Sequence, residues 1–178
     1  MDPVLNRPGL RALRRIPIFS DLTDEDLERI APMADPFRRQ PGEMLFREGD
    51  APDGMYVVER GEVGVTTVGA DGEAIMLAEL GNGAVIGEMS LAEGSARSAT
   101  VAAISATTGQ FFARDRFAAL REAGDPAAYK ILLALARTLE ERRRATEQRL
   151  RLLLDDPDRA RKLRAKPMRH LVGVLTKA

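Results

Sequence analysis

The sequence has no cysteine and a single histidine among its 178 residues. Without cysteine the chain has neither a disulfide framework nor a thiolate ligand for a metal, and a cytoplasmic setting is expected. The histidine, His170, stands in the C-terminal tail, which argues against a histidine-rich metal centre and against a Ser-His-acid triad. The sequence shows no other set of residues with the pattern of a catalytic site. The sequence therefore predicts a binding module that is not an enzyme and holds no metal.

Long apolar stretches are missing as well. No run approaches the roughly 20 apolar residues that a membrane-spanning helix requires. The N-terminal stretch, MDPVLNRPGLRALRR, lacks the apolar core of a signal peptide. We therefore expect a soluble protein without membrane contact.

The net charge is zero, but the charges are distributed unevenly along the chain. Residues 1–136 carry 14 basic and 21 acidic side chains, whereas residues 137–178 carry 13 basic and 6 acidic ones. A basic C-terminal part indicates either a solvated helix and tail, or a surface for an acidic partner, for nucleic acid or for the domain's own acidic part. Charge alone does not separate these interpretations.

Short apolar segments separated by glycine turns fill the centre of the sequence. The turns contain pairs such as Gly49-Asp50, Arg60-Gly61 and Asp71-Gly72, which are residues that turns favour. About eight strands at this spacing predict a closed or double-sheet β structure, such as a jelly roll, over residues 37–113. The predicted strands are Phe37–Arg39, Met44–Arg47, Met55–Glu59, Val63–Thr67, Ile75–Leu80, Val85–Ile86, Ser98–Ala103 and Thr107–Phe112.

Helical segments flank this β region, so the predicted fold class is α+β. Residues 1–36 are predicted to form a helical lead-in, with a short basic helix expected over Leu10–Arg15. In a second helix of this lead-in, Thr23 is the capping residue, and Asp26 completes an approximate capping box.

The region after the strands, residues 114–154, is predicted to hold a hinge helix and a long helix. The long helix begins at Ala127, and its packed face is apolar in the first half and polar in the second. This change favours a lid that packs first on protein and then near a polar ligand. Residues 155–178 are predicted to follow as a basic helical tail.

One stretch, Gly87–Thr100, combines the features of a phosphate and sugar site and reads GEMSLAEGSARSAT. Gly87 allows a close approach of the backbone or a positive φ. Arg97 supplies a planar, charged fork that suits a phosphate, and Ser98 adds a hydroxyl beside it. Ionised Glu88 only accepts hydrogen bonds, so its natural partner is a hydroxyl such as that of a ribose.

This stretch resembles the phosphate-binding cassette of the cyclic nucleotide-binding domain family, the family of the catabolite activators and of the protein kinase A regulatory subunits. The lead-in IPIFSDLTDEDLERIAPM resembles that family too. The resemblance implies an eight-stranded antiparallel β-roll with a lid helix. It also implies that Glu88 holds the ribose 2′-hydroxyl and that Arg97 holds the cyclic phosphate. The ligand-binding residues that we expect on this basis are Ile86, Gly87, Glu88, Met89, Ser90, Arg97, Ser98 and Ala99, joined by Arg142 and Arg143 from the lid.

The two arginines of the lid, Arg142 and Arg143, are included because of their distance from Arg97 along the chain. Counting along from Arg97, the place where the catabolite activators present hydroxyls to the base is occupied by Arg142, with Arg143 beside it. One interpretation is that an arginine stacks on the purine or donates to its edge. The other is a solvated basic run balanced by Glu140 and Glu141.

The function expected from the resemblance is a sensor whose lid helix moves when a cyclic nucleotide binds. Cyclic AMP is favoured as the ligand, and cyclic GMP is the alternative, because the hydroxyl of Ser98 is compatible with both. A protein partner or a homodimer through the lid helix would receive the signal. The rival interpretation is a protein–protein scaffold that keeps the roll and binds no nucleotide.

Two further expectations concern the C-terminus and Arg97. The 24 residues after Leu154 are too few for a recognition helix with its supporting core, so no sequence-specific DNA binding is expected. Replacing Arg97 is expected to weaken ligand binding and to leave the ligand-free fold nearly unchanged.

Overall fold

The helical lead-in is built on a capped helix. The computed structural model describes residues 13–92 and 94–155. A 3₁₀ turn, Pro17–Phe19, precedes helix α1 (Asp24–Ile30), and a second 3₁₀ turn follows at Ala31–Met33. The predicted capping box is confirmed, since the Thr23 N–H donates to Asp26 and the Asp26 N–H donates to the Thr23 hydroxyl.

The centre of the chain forms two four-stranded antiparallel sheets, with strand orders β1-β8-β3-β6 and β2-β7-β4-β5. All eight predicted strands are confirmed, and their ends differ from the predicted ones by at most three residues. The strands are β1 (Ala34–Arg39), β2 (Met44–Phe46), β3 (Gly54–Arg60), β4 (Val63–Val68), β5 (Ala74–Leu80), β6 (Val85–Ile86), β7 (Thr100–Ala103) and β8 (Thr107–Ala113).

The largest difference from the prediction is at the start of β1. This strand begins at Ala34, although Pro36 was expected to stand outside it. β1 lies at the edge of its sheet and pairs with β8 alone. An edge strand tolerates proline because the missing N–H can face away from the neighbouring strand.

Apolar side chains form two cores, one inside the roll and one between the roll and the helices. The inner core contains Phe37, Leu45, Tyr56, Val58, Val63, Ile86 and Val101. In the outer core, Phe19 packs against Phe112 with 5.4 Å between ring centroids. Residues from the first half of the last helix, among them Ile131 and Leu135, complete that outer core.

Three helices complete the described chain: α2 (Met89–Ala92), α3 (Arg114–Glu122) and α4 (Pro126–Asp155). Asp125 caps α4 by accepting the Ala127 N–H at 2.8 Å. Two ion pairs join the first half of α4 to the lead-in: Lys130 with Asp26 at 2.5 Å, and Arg137 with Asp21 at 2.6 Å. None of the helices within residues 13–92 and 94–155 is long and apolar enough to cross a bilayer.

The α+β class and the roll under a long C-terminal helix are therefore confirmed. Two predicted elements are not tested, or only in part, because the described residues do not cover them fully. The helix over Leu10–Arg15 is only partly covered, and the basic tail beyond Asp155, with His170, lies outside the described residues.

Candidate ligand-binding site

The cassette turn requires a glycine for two physical reasons. After β6 the backbone turns at Gly87, whose φ is +72°, and α2 begins two residues later. A Cβ at this position would collide with the guanidinium of Arg97. The positive φ disfavours any L side chain, and the close approach of Arg97 leaves no space for one.

Arg97 is buried at the centre of the site, with 2% of its side chain exposed. Its Nη1 donates to the Ser90 hydroxyl at 2.6 Å and to the Gly87 carbonyl at 3.1 Å. Its Nη2 donates to the Gly54 carbonyl at 2.6 Å and to the Asp53 carboxylate. This one side chain therefore joins the cassette to the start of β3, so the expectation that its loss would leave the ligand-free fold unchanged is revised.

The third guanidinium nitrogen of Arg97 has no acceptor. Nε is buried and is the one buried side-chain polar atom without a partner in the described part of the chain. The guanidinium carbon lies 4.0 Å from the centroid of the Phe46 ring. A buried donor without an acceptor costs free energy, and a buried group of this kind points to a functional role.

Glu88 directly follows Gly87 in the cassette turn and is also buried, with 8% of its side chain exposed. Its Oε1 accepts from Arg142 Nη1 at 2.7 Å, and Arg142 Nη2 donates to the Val85 carbonyl at 2.6 Å. The structure thus brings Arg142 of α4 to the cassette. Arg142 therefore contacts the candidate ribose acceptor and the first residue of β6.

The second lid arginine is arranged differently. Arg143 is exposed and pairs with Glu140 and Glu147 on α4 itself. Hydrogen bonds from Arg143 and Arg144 lower the pKa of Glu140 to about 2. Such contacts are those of a solvated helix surface, and the structure does not bring Arg143 to the cassette.

The remaining predicted residues differ in exposure. Ile86 points into the inner core, Ser90 and Ala99 are buried, Met89 is half-buried and Ser98 is exposed. No group of three or more carboxylate or histidine side chains in residues 13–92 and 94–155 has the arrangement of a metal site.

Sequence reasoning missed Asp53 and Phe46. In the sequence Asp53 stands before a glycine, as turn residues often do, and Phe46 stands within the predicted strand Met44–Arg47. Both contact Arg97, from 44 and 51 positions away in the chain. No local pattern marks contacts of that range.

Comparisons with known proteins agree with this geometry. A family model described as cyclic nucleotide-binding domain matches residues 37–123. A cyclic nucleotide-binding domain from Methylobacillus flagellatus is 28% identical, with a TM-score of 0.71 and 79% of each chain covered. The regulatory domain of Toxoplasma gondii protein kinase A, in co-crystals with cyclic AMP, is 29% identical, with a TM-score of 0.58 over 67% of this chain and 45% of that one.

One curated relative is an uncharacterized NTE family protein of Mycobacterium tuberculosis. It is 33% identical over 138 residues, which are 78% of this chain and 23% of the relative. The chain therefore spans about a quarter of the length of the first curated relatives that it matches.

The described chain combines two four-stranded antiparallel sheets with a long C-terminal helix, and the segment between β6 and β7 holds a buried arginine and a buried glutamate. This arrangement is that of a β-roll with a candidate ligand site. The matched family model and the similar solved structures are those of cyclic nucleotide-binding domains, in agreement with the residues of the cassette. The chain belongs to the cyclic nucleotide-binding domain family.

Proposed function

We propose that this domain is a sensor that binds cyclic AMP, with cyclic GMP as the alternative ligand, and that binding moves the lid helix α4. The observation that carries the proposal is the buried Nε of Arg97, which has no acceptor. A cyclic phosphate supplies anionic oxygens, and hydrogen bonds to a charged partner are stronger than those between neutral groups. Phosphate binding at Arg97 would give this nitrogen the acceptor that it lacks.

Glu88 is proposed to hold the ribose 2′-hydroxyl. Its carboxylate lies on the same turn as the Gly87 carbonyl, which Arg97 contacts, so phosphate and sugar would bind side by side. Cyclic AMP is preferred because the similar regulatory domain from Toxoplasma gondii was crystallised with it. Ser98, exposed beside Arg97, is compatible with either base. A purine contact by Arg142 or Arg143 stays a prediction.

The scaffold interpretation has one observation in its favour. Both terminal nitrogens of Arg97 already have acceptors, which are Ser90, Asp53 and two backbone carbonyls. An arginine with these bonds also stabilises the roll without a ligand. A scaffold would need Arg97 for folding and would bind no nucleotide.

Titration calorimetry with cyclic AMP, cyclic GMP and cyclic di-GMP distinguishes the two functions. We expect binding of cyclic AMP by the wild type and by Arg144→Gln, in which an exposed lid arginine is lost. Arg97→Lys keeps the charge and loses the fork, so we expect its affinity to fall at least about tenfold. A wild-type protein that binds none of the three ligands would support the scaffold.

The receiver of the signal is proposed to be a protein partner or a second copy of the chain at α4. Tyr129 and Leu133 lie one turn apart on this helix and are both more than half exposed. Light scattering with and without cyclic AMP would test the second copy. If the protein is a monomer with and without cyclic AMP, a second copy is excluded and the proposed receiver is a different protein. A cytoplasmic location stays a prediction.

A further inference from the structure

Arg142 contacts the candidate ribose acceptor although 54 positions separate it from Glu88. Its guanidinium bridges the Glu88 carboxylate of the cassette and the Val85 carbonyl of β6. A planar fork can hold two acceptors in fixed directions, which a lysine ammonium does less well. The lid helix is therefore attached to both ends of the four-residue segment that contains Gly87.

The burial of Glu88 makes this contact more consequential than a surface ion pair. Glu88 is 8% exposed, whereas Arg142 remains 39% exposed at the lid. A buried carboxylate without a cationic partner is strongly destabilising. The other nearby cation, Arg97, directs its bonds to Asp53, Ser90 and two carbonyls, so Arg142 is the cation that pairs with Glu88 among the described residues.

Only one oxygen of the Glu88 carboxylate is used. Arg142 bonds Oε1, and no donor within residues 13–92 and 94–155 bonds Oε2. An ionised carboxylate accepts at both oxygens, which means that a hydroxyl and Arg142 can share Glu88.

We propose that Arg142 is a positioning residue for ribose recognition: it holds Glu88 through Oε1 while Oε2 accepts the 2′-hydroxyl of a cyclic ribonucleotide. This inference rests on the proposed function. It differs from a purine contact because Arg142 acts through Glu88 and not on the base. Coupling between two sites is reciprocal, so a ribose on Glu88 also strengthens the attachment of α4.

The test compares two ligands on two proteins. Affinities for cyclic AMP and its 2′-deoxy analogue are measured by titration calorimetry for the wild type and for Arg142→Gln. One hydrogen bond to a buried charged group makes the wild type prefer cyclic AMP by about fivefold or more. We expect Arg142→Gln to lose affinity mainly for cyclic AMP, so that this preference falls to within about twofold of unity. Arg144→Gln is the matched control and keeps the wild-type preference.

The same measurements separate this role from a purine contact. If Arg142 bound the base, its loss would weaken both ligands equally and leave their ratio unchanged, which would overturn the inference. Arg142→Lys is a second variant that keeps the charge but cannot reach Glu88 and Val85 together, and its preference should be intermediate. Arg142→Gln could bind both ligands too weakly for calorimetry. In that case, an Arg142→Lys variant with the wild-type ratio of affinities for cyclic AMP and its 2′-deoxy analogue would overturn the inference.

Hydrogen exchange supplies a readout on the lid itself. In the wild type, α4 should exchange more slowly with cyclic AMP than with the deoxy ligand, and this difference should vanish in Arg142→Gln. Equal protection by both ligands in the wild type would contradict the coupling. Failure of the wild type to bind any cyclic nucleotide would overturn the proposed function and the inference together. Normal binding with an unchanged ratio in Arg142→Gln would overturn the inference alone.

Discussion

The ring of Phe46 lies against the guanidinium of Arg97, with 4.0 Å between the ring centroid and Cζ. Strand β2 thereby supports the residue that we propose for the phosphate, from a position outside the cassette. The ring also meets Tyr56, with 5.8 Å between centroids, which places it at the border of the inner core.

Phe46→Leu removes the ring and keeps an apolar side chain. A cation–π contact contributes about 0.5–2 kcal/mol, depending on its desolvation. We expect affinity for cyclic AMP to fall about 2- to 30-fold, because the guanidinium loses the surface that orients it. Phe46→Tyr keeps an aromatic face and should retain most of the affinity. Equal losses in both variants, measured by calorimetry, would show that the ring acts through packing and not through its π face.

Arg97→Gln should destabilise the protein even without ligand. The side chain is buried and bonded to the cassette and to the start of β3, and a hydrogen bond from a charged group contributes about 1.5–3 kcal/mol. For a chain of this size each kcal/mol lowers the melting temperature by about 2–4 °C. Calorimetric melting should therefore show a fall of about 3 °C or more. An unchanged melting temperature would mean that these bonds are dispensable to the fold.

Gly87→Ala should be more harmful than an alanine at another positive-φ glycine. Gly72 is the matched control, since its φ is +80° and nothing lies within 4 Å of a Cβ placed there. Both variants incur the backbone cost of about 1–2 kcal/mol, but at Gly87 the methyl group also displaces Arg97. Urea unfolding should give the larger loss for Gly87→Ala, and nucleotide binding should fail in that variant alone. Equal losses at the two sites would argue against the contact with Arg97.

Asp26 provides a dependence of stability on pH. Burial raises its pKa, but Lys130 and the Thr23 cap outweigh burial, so the pKa lies below the usual value of 3.8. A carboxylate with a lowered folded-state pKa stabilises the protein above its unfolded pKa, and this contribution is lost as the pH falls through the folded value. Asp26→Asn should therefore cost about 1–3 kcal/mol at pH 7, as a buried group that loses charged partners.

Unfolding of wild type and Asp26→Asn at a series of pH values checks this account. The difference between the two proteins should be constant above about pH 5 and shrink below pH 3.8. Glu25→Gln, on the same turn of α1 and exposed, is the control. If the difference in unfolding free energy persisted unchanged to pH 2, the charge of Asp26 would not be what stabilises its contact with Lys130 of α4.

Much of the fold follows from local patterns. Glycine turns and the short apolar segments between them predicted eight strands with ends correct to within three residues, because these signals act over a few positions. Thr23 with Asp26 predicted a helix start for the same reason, since a capping box is complete within four residues. The cassette was recognisable because its glycine, acid and arginine lie within one short loop.

The sequence by itself therefore determined the roll, the flanking helices and the family, since each depends on residues that are close in the chain. Tertiary structure alone decided which side chains surround Arg97 and Glu88. Asp53 and Phe46 reach Arg97 only because strands β2 and β3 fold against the cassette. Arg142 and Arg143 are adjacent and alike in the sequence. The packing of α4 turns Arg142 to Glu88 and Arg143 to solvent, because successive residues of a helix face different directions.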